Sequence, residues 1–495
     1  MHRIDLKLRQ HAGLPARDEL EKHADWIVVL PFEARPGVRI PFADLLYERR
    51  ARLGRKEPDT EPLVTELPNE KGTRMTFAAI KPQLGQFELL TLARKLVSVP
   101  VRNKAKEIAV ALAGFPARER ERIAEAVVAA VYAAAAIMPS YKSKGDDKPR
   151  IRALELFGVR AAHGFKRTAA EAEGNAVARH LSMLPANMLT PADYLQHIRR
   201  IAREQGWKLE FHDVKSLARM KAGAFLAVAQ ASPTADAGIV HLRYEPRGSR
   251  GRGAAKVALV GKGICFDTGG VNVKNARYMY NMHQDMQGSA VALGTLLALT
   301  RMNYRYPAEA WLALAMNHIG PKSYKPNDVI TASDGTTIEV IDTDAEGRMV
   351  LADTLALASK SKPELIVDFA TLTGACVYSL GRAYSGVFTN REDFIPRLIR
   401  TGRNSGERVW PFPMDADFDE ALRSEIADVK QCSTESGVDQ ILAARFLQRF
   451  VKNNVPWVHL DLSAARSKGG LAHVPTDTTG FGVRYAVSLL LDGAV

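Results

Sequence analysis

Apolar and polar positions fall into two regimes along this chain. Up to about residue 165 they mix strand-like and helix-like stretches. WIVVLPF (26–32) is a run rich in Ile and Val that ends at a proline, which predicts a strand. ELLTLARKLV (88–97) and ERIAEAVVAAVYAAAAI (121–137) repeat their apolar residues at helical spacing and use good helix formers. RALELFGV (152–159) reads as another strand. A small α/β domain over residues 1–165 is expected.

The segment 166–184 is helical and polar on one face, and it is expected to be the linker helix between two domains. Pro185 and Pro191 break it, and Thr190 can cap a helix that starts at Pro191. Beyond it the alternation is regular. KVALVG (256–261), AEAWLALAMN (308–317), ELIVDFATLTG (364–374) and WVHLDLS (457–463) read as strands. SAVALGTLLALTRM (289–302), RMVLADTLALASK (348–360) and ILAARFLQRFV (441–451) read as helices. Strands alternating with helices predict an α/β fold: a larger domain, 185–495, with a mostly parallel central sheet flanked by helices. Ligands of such sheets gather beyond the carboxyl ends of the strands.

Length and composition add bounds. A chain of 495 residues is too long for one ordinary core, and 46% apolar with 25% charged residues is soluble globular material. The polar opening predicts no signal peptide. The longest apolar run, VVAAVYAAAAIM (127–138), falls short of the roughly 20 residues of a membrane span, so no membrane association is expected. Three widely spaced cysteines, Cys265, Cys376 and Cys432, argue against a disulfide framework and for a reducing, cytoplasmic setting. The net charge of +13 raises nucleic acid as a partner. Much of the excess is scattered or mixed with acids, as in ARERERIAEA (117–126), which suits a solvated helix face.

The chemistry lies after the strands. VIDTDAEGRMVLADTL (340–355) sets Asp342, Asp344 and Glu346 at every second position, followed by Arg348. Such crowding is unfavourable unless a cation sits among the carboxylates. KGICFDTGGVNVK carries Lys262, Asp267 and Lys274, and YMYNMHQDMQGSA carries Asp285. Singly, each has an ordinary reading as a turn residue or a solvated lysine. Together, Asp267, Asp285, Asp344 and Glu346 with Lys262 and Lys274 predict a hard, oxygen-rich site for paired dications, Mg, Mn or Zn, about 3.5–4 Å apart. One lysine can ligate as a neutral amine and the other can steady a developing oxyanion. GKG is no phosphate loop, because Lys256 stands where the first glycine is required and Gly263 where Ser or Thr is required. His283 is a weaker ligand candidate beside Asp285. His318 and His459 read as structural, and Cys265 as core.

GKGICFDTGG, Lys274, the pair Asp285–Met286 and DTDAEGR resemble the leucyl (cytosol) aminopeptidase family, the M17 metallopeptidases. LPANMLTPADY, ATLTGA, GVDQILAARFLQRF, WVHLDLSAA and TGFGVR extend the resemblance over about the last three-fifths of the chain. The resemblance implies that Lys262, Asp267, Asp285, Asp344 and Glu346 bind two metal ions, Mn or Zn. Asp267 and Glu346 would bridge, Lys262 and Asp285 complete the tighter site, and Asp344 serve the exchangeable one. Lys274 and Arg348 would be catalytic, Arg348 holding a bicarbonate general base. Met282, Thr371, Leu372 and Gly374 would line the pocket for the first side chain, Leu372 through its backbone. The implied reaction removes the N-terminal residue of a peptide, Leu-like or of broad type, by attack of a metal-bridging hydroxide. A homohexamer is implied as well.

Three positions depart from the family pattern. Asp342 replaces the usual Asn, QGS (287–289) replaces GGA, and NVKN surrounds Lys274 in place of SIKP. None removes an expected ligand, so an active enzyme is expected. The competing readings are a nucleic-acid-binding protein on an aminopeptidase scaffold and a two-metal phosphoesterase. The first rests on the charge alone, with no helix-turn-helix and no aromatic–basic stacking motif.

Overall fold

Strands rich in Val, Ile, Leu and Ala open the structure, a computed structural model that describes residues 4–33, 40–144, 151–246, 254–435 and 437–492. They are β1 (Lys7–His11), β2 (Asp25–Pro31), β3 (Leu63–Glu66), β4 (Arg74–Ile80), β5 (Glu107–Leu112) and β6 (Ala153–Phe157). They form one sheet in the order β1-β6-β5-β2-β4-β3, parallel except for the β3–β4 pair. Helices Gln86–Arg102 and Ala117–Ala135 bury Leu89, Leu96, Val127 and Val131 with Ile27, Val110 and Leu156 of the sheet. The other face packs Trp26, Val28, Phe77 and Leu46.

The chain divides into two compact units. The first comprises Met1–Ala172 with Lys468–Asp477, the second Glu173–Ser467 with Thr478–Val495. The division therefore falls inside the helix Lys166–Ser182. Thr190 caps the next helix, Pro191–Gln205, through a capping box with Asp193.

Eleven further strands follow: β7 (Lys208–Asp213), β8 (Gly238–Tyr244), β9 (Val257–Asp267), β10 (Ala308–Asn317), β11 (Val329–Thr331), β12 (Thr337–Glu339), β13 (Ile366–Ala370), β14 (Ser385–Thr389), β15 (Val409–Pro411), β16 (Val429–Lys430) and β17 (Trp457–Asp461). Eight of them form the sheet β15-β14-β17-β13-β9-β10-β8-β7, and β11-β12-β16 form a small one. The central strands β17, β13, β9 and β10 run parallel, as the sequence pattern predicts. They are buried but for one half-buried position each in β9 and β10, whereas the edge strand β7 has only exposed and half-buried positions. The antiparallel pairs β10–β8, β8–β7 and β14–β17 lie toward the edges.

Two elements differ from the sequence expectation. The strand expected to end at residue 261 continues to Asp267, so Lys262 and Cys265 lie within β9. A bulge then interrupts its pairing with β10: Ile264 faces Ala315, but Asp267 faces Asn317. Strict alternation would put Lys262 and Asp267 on opposite faces. The one extra residue on β9 returns them to the same face. The strand expected over 364–374 closes at Ala370, because Thr371, Leu372 and Thr373 turn away to bond with Asp285 and Asp461.

Candidate metal centre

Four segments meet at the carboxyl ends of β9, β10 and β13. β9 delivers Lys262 and, through its bulge, Asp267. Gly269 and Gly270 then take positive φ values of 88° and 67°, a conformation natural to glycine, and the loop returns so that Lys274 N donates to Thr268 O at 2.9 Å. Asp285 follows the single 3₁₀ turn Met282–Gln284. The helix Gln287–Arg301 starts so close to the sheet that a Cβ at Gly288 would lie 2.0 Å from Phe369 O. QGS thus keeps the glycine that the packing requires, while Ser289 Oγ bonds Tyr194 Oη at 3.0 Å. The fourth segment is the acidic turn. Asp344 N donates to Asp342 Oδ1 at 2.8 Å, and the helix Glu346–Lys360 begins at once, with Glu346 and Arg348 in its first turn.

These segments bring Lys262, Asp267, Lys274, Asp285, Asp344 and Glu346 together. Lys262 Nζ lies 2.8 Å from Asp285 Oδ2 and 2.8 Å from Glu346 Oε1, and donates to Thr371 O at 3.0 Å. Lys274 Nζ lies 2.9 Å from Asp267 Oδ2 and also pairs with Asp344. Asn317 Nδ2 donates to Asp267 Oδ1 at 2.8 Å and to Thr343 O at 2.9 Å. Lys262, Asp267, Asp285 and Glu346 are all buried.

The electrostatics of this cluster are unbalanced, since two ammonium groups face four carboxylates. Burial and the neighbouring Asp267 charge push Asp344 up to about 7, against the pull of Lys274. Burial raises Asp285 well above the usual carboxylate range, although Lys262 opposes it, and burial with the Asp267 charge raises Glu346. Burial alone would lower Lys262, but Asp285, Glu346 and Asp267 outweigh it and hold the ammonium above its ordinary value. Divalent cations would supply the positive charge that is missing. Ligand oxygens of Asp267, Asp344 and Glu346 lie within 4.8 Å of one another, so this donor set fits a hard dication.

Arg348 is fully buried and clamped from two sides. Nη1 donates to Gln431 O at 3.1 Å and Nη2 to Asp439 Oδ1 at 2.7 Å, while Nε is buried without a hydrogen-bond partner among the described residues. Thr371 Oγ1 donates to Asp285 Oδ1 at 2.6 Å, so Thr371 belongs to the charged network. Leu372 N donates to Asp461 Oδ1 at 3.1 Å. Gly374 opens the helix Gly374–Leu380, and Met282 is half-buried in the turn before Asp285. His283 lies outside the group of close ligand atoms. His459 Nδ1 bonds Asp368 at 2.6 Å in the core and His318 Nδ1 bonds Ile319 O at 2.9 Å, both local roles. Cys265 is buried in the core.

Sequence reading missed Asn317, Asp439, Asp461 and Gln431. Asn317 carried a usable signal, a polar residue closing an apolar strand. Gln431 bonds Ile341 N, Asp342 N and Ala345 O and so shapes the acidic turn, yet nothing in its own neighbourhood marks it.

Residues 176–487 match the model of the cytosol aminopeptidase family, catalytic domain. A probable cytosol aminopeptidase of Wolbachia pipientis wMel is 36% identical over 442 residues, 86% of this chain and 85% of its own length. One of Aquifex aeolicus (strain VF5) is 34% identical over 466 residues, 89% of this chain and 92% of its own. Among solved structures, a mutant tomato leucine aminopeptidase superposes with a TM-score of 0.84 at 26% identity, covering 98% of this chain and 97% of that one. The bottromycin maturation enzyme BotP in complex with Mn gives 0.80 at 28% identity, covering 96% and 100%. The chain belongs to the cytosol aminopeptidase (M17) family and is a metal-dependent aminopeptidase.

Proposed function

We propose that the enzyme removes Leu-like or varied N-terminal residues from peptides, with two divalent ions, Mn or Zn, held by Asp267, Asp285, Asp344 and Glu346 and by Lys262 as the neutral amine, its ammonium giving up a proton as the ion enters. The observation that carries this reading is the charge deficit of the buried cluster, four carboxylates against two ammonium groups. Bound there, the ions would polarise the scissile carbonyl and acidify the attacking water.

The protein's own residues do the rest. Lys274, fixed by Asp267, presents its ammonium to the oxyanion that develops on the substrate carbonyl. Arg348, immobilised by Gln431 and Asp439, keeps Nε for an anion, and bicarbonate there would supply the general base. Met282, Thr371, Leu372 and Gly374 border the first side chain of the peptide. The Leu372–Asp461 bond holds the β13 exit loop that carries three of these four.

Three buried free cysteines support a reducing, cytoplasmic setting. The motif resemblance is the support for a homohexamer, which sedimentation would measure. The deciding assay uses aminoacyl-amide substrates of varied side chain on metal-stripped protein, with Mn, Zn or Co added back. Restored turnover ordered by the first side chain is expected. Turnover indifferent to metal would overturn the reading.

A further inference from the structure

A second group of metal-type donors lies on the edge of the eight-stranded sheet. β7 and β8 pair antiparallel, with Glu210 opposite His241 and His212 opposite Ile239. Period-two alternation therefore sets Glu210, His212 and His241 on one face. Trp311 of β10 stands opposite His241 and stacks on it, ring centroids 3.9 Å apart and planes 13° apart. The His212 ring lies parallel to the same indole at 6.1 Å. The indole thus holds the His241 ring by direct stacking, with the His212 ring parallel to it and farther off.

One ligand atom from each of Glu210, His212 and His241 lies within 4.8 Å of the other two. Tetrahedral ligands about 2.1 Å from a zinc ion stand about 3.4 Å apart, so small side-chain rotations close the site. Among the described residues His241 Nε2 is buried with no hydrogen-bond partner, its nearest acid being Glu309 Oε2 in a loose ion-pair contact at 3.6 Å. A buried ring nitrogen without a partner is costly unless something ligates it. The closer partners of Glu309 are Arg243 Nη1 at 2.6 Å, Ser361 Oγ at 3.0 Å and Trp311 Nε1 at 3.2 Å.

We propose that Glu210, His212 and His241 bind one transition-metal ion of the zinc or nickel type, at a site that shares no residue with the carboxylate centre. Two imidazoles and one carboxylate suit such borderline ions, whereas the carboxylate centre is mostly oxygen. The ion ties the edge strand β7 to β8 and covers polar atoms that an edge otherwise leaves open.

The test titrates metal-stripped, full-length protein with zinc alone and compares the unmutated chain with Glu210→Gln and His212→Ala. The Glu210 side chain is 70% exposed, so its replacement leaves folding unaffected. Each variant is expected to bind one equivalent fewer, with leucine anilide turnover of the manganese-loaded enzyme unchanged. His163→Ala, an exposed histidine elsewhere, should bind as the unmutated chain does. Equal zinc binding in all proteins, or the same loss in His163→Ala, overturns the proposal. Electron paramagnetic resonance with one equivalent of copper gives a second readout on the Asp285→Ala background. Coupling to two imidazole nitrogens should fall to one in His212→Ala, and coupling unaffected by that change overturns the site. Both readouts compare a chain with its own variant, so they stand whether or not the carboxylate centre proves dinuclear.

Discussion

The hydroxyl of Thr371 donates to the carboxylate of Asp285 at 2.6 Å, joining residues 86 positions apart in the chain. The bond fixes which Asp285 oxygen faces Lys262 and the neighbouring carboxylates. Thr371 sits at the exit of β13 and Asp285 after the 3₁₀ turn, so the contact also ties the pocket border to the metal centre. Thr371→Val keeps the shape and removes the donor. Its metal affinity should fall by about tenfold to a hundredfold, the usual loss when a ligand's outer partner is removed. Thr371→Ser should restore most of it. Calorimetric titration with manganese checks both, and equal affinity in Thr371→Val would show that the bond orients nothing.

Lys274 and Asp285 should separate chemistry from binding. Lys274→Ala leaves every proposed ligand in place, so metal content should persist while turnover falls by about a hundredfold or more, as for loss of an oxyanion donor. Asp285→Ala should lose one ion per chain. Elemental analysis of the two purified variants decides between these roles. Ions departing with Lys274 would make that lysine a holder of the site, not a participant in catalysis.

Asp342 replaces the family's usual Asn, and the structure shows why the exchange is tolerated. Its Oδ1 accepts from Asp344 N at 2.8 Å, a bond an amide oxygen makes equally well. Asp342→Asn should therefore change folding stability by no more than about 0.5 kcal/mol. The carboxylate is half-buried near the dication site, so removing its charge should weaken manganese binding by about two- to fivefold at low salt. That difference should shrink at high salt, where the Debye length is shorter. A salt-independent difference would place the effect in the turn geometry and not in the charge.

The acidic turn was legible because its charges lie together in sequence, and no ordinary surface turn needs so many. The central strands were legible from their unbroken apolar character. The means by which Lys262 and Asp267 come to share a face was not, because it depends on a bulge visible only in the β9–β10 register. Asn317, Gln431, Asp439 and Asp461 act across long stretches of sequence: Asn317 reaches Asp267 50 positions away, and Asp439 reaches Arg348 91 positions away. Contacts of that kind leave no local pattern. The edge strand β7 was missed for the opposite reason, since it is too polar to stand out as a strand. That same polarity gathers Glu210 and His212.

His459 and Asp368 form a buried pair in the sheet, 2.6 Å apart, with Trp457 Nε1 donating to the second Asp368 oxygen at 2.5 Å. Burial alone would lower the histidine, but the Asp368 charge outweighs it and raises His459 above its usual value of 6.5. A raised native value means the folded state holds the proton more tightly than the unfolded chain. The pair's contribution to stability is therefore complete below about pH 6.5 and is lost as pH rises through the native value. Asp368→Asn removes the charge and leaves an oxygen for one donor. It should cost about 3–5 kcal/mol at low pH, where it strands a buried imidazolium or forces its deprotonation. The cost should be smaller at high pH, where His459 is neutral in both proteins. Urea unfolding of chelator-treated protein from pH 6 to pH 9 measures the difference between the two chains without metal linkage. A cost that stays constant across that range would mean that His459 is neutral in the fold and that the pair is an ordinary hydrogen bond.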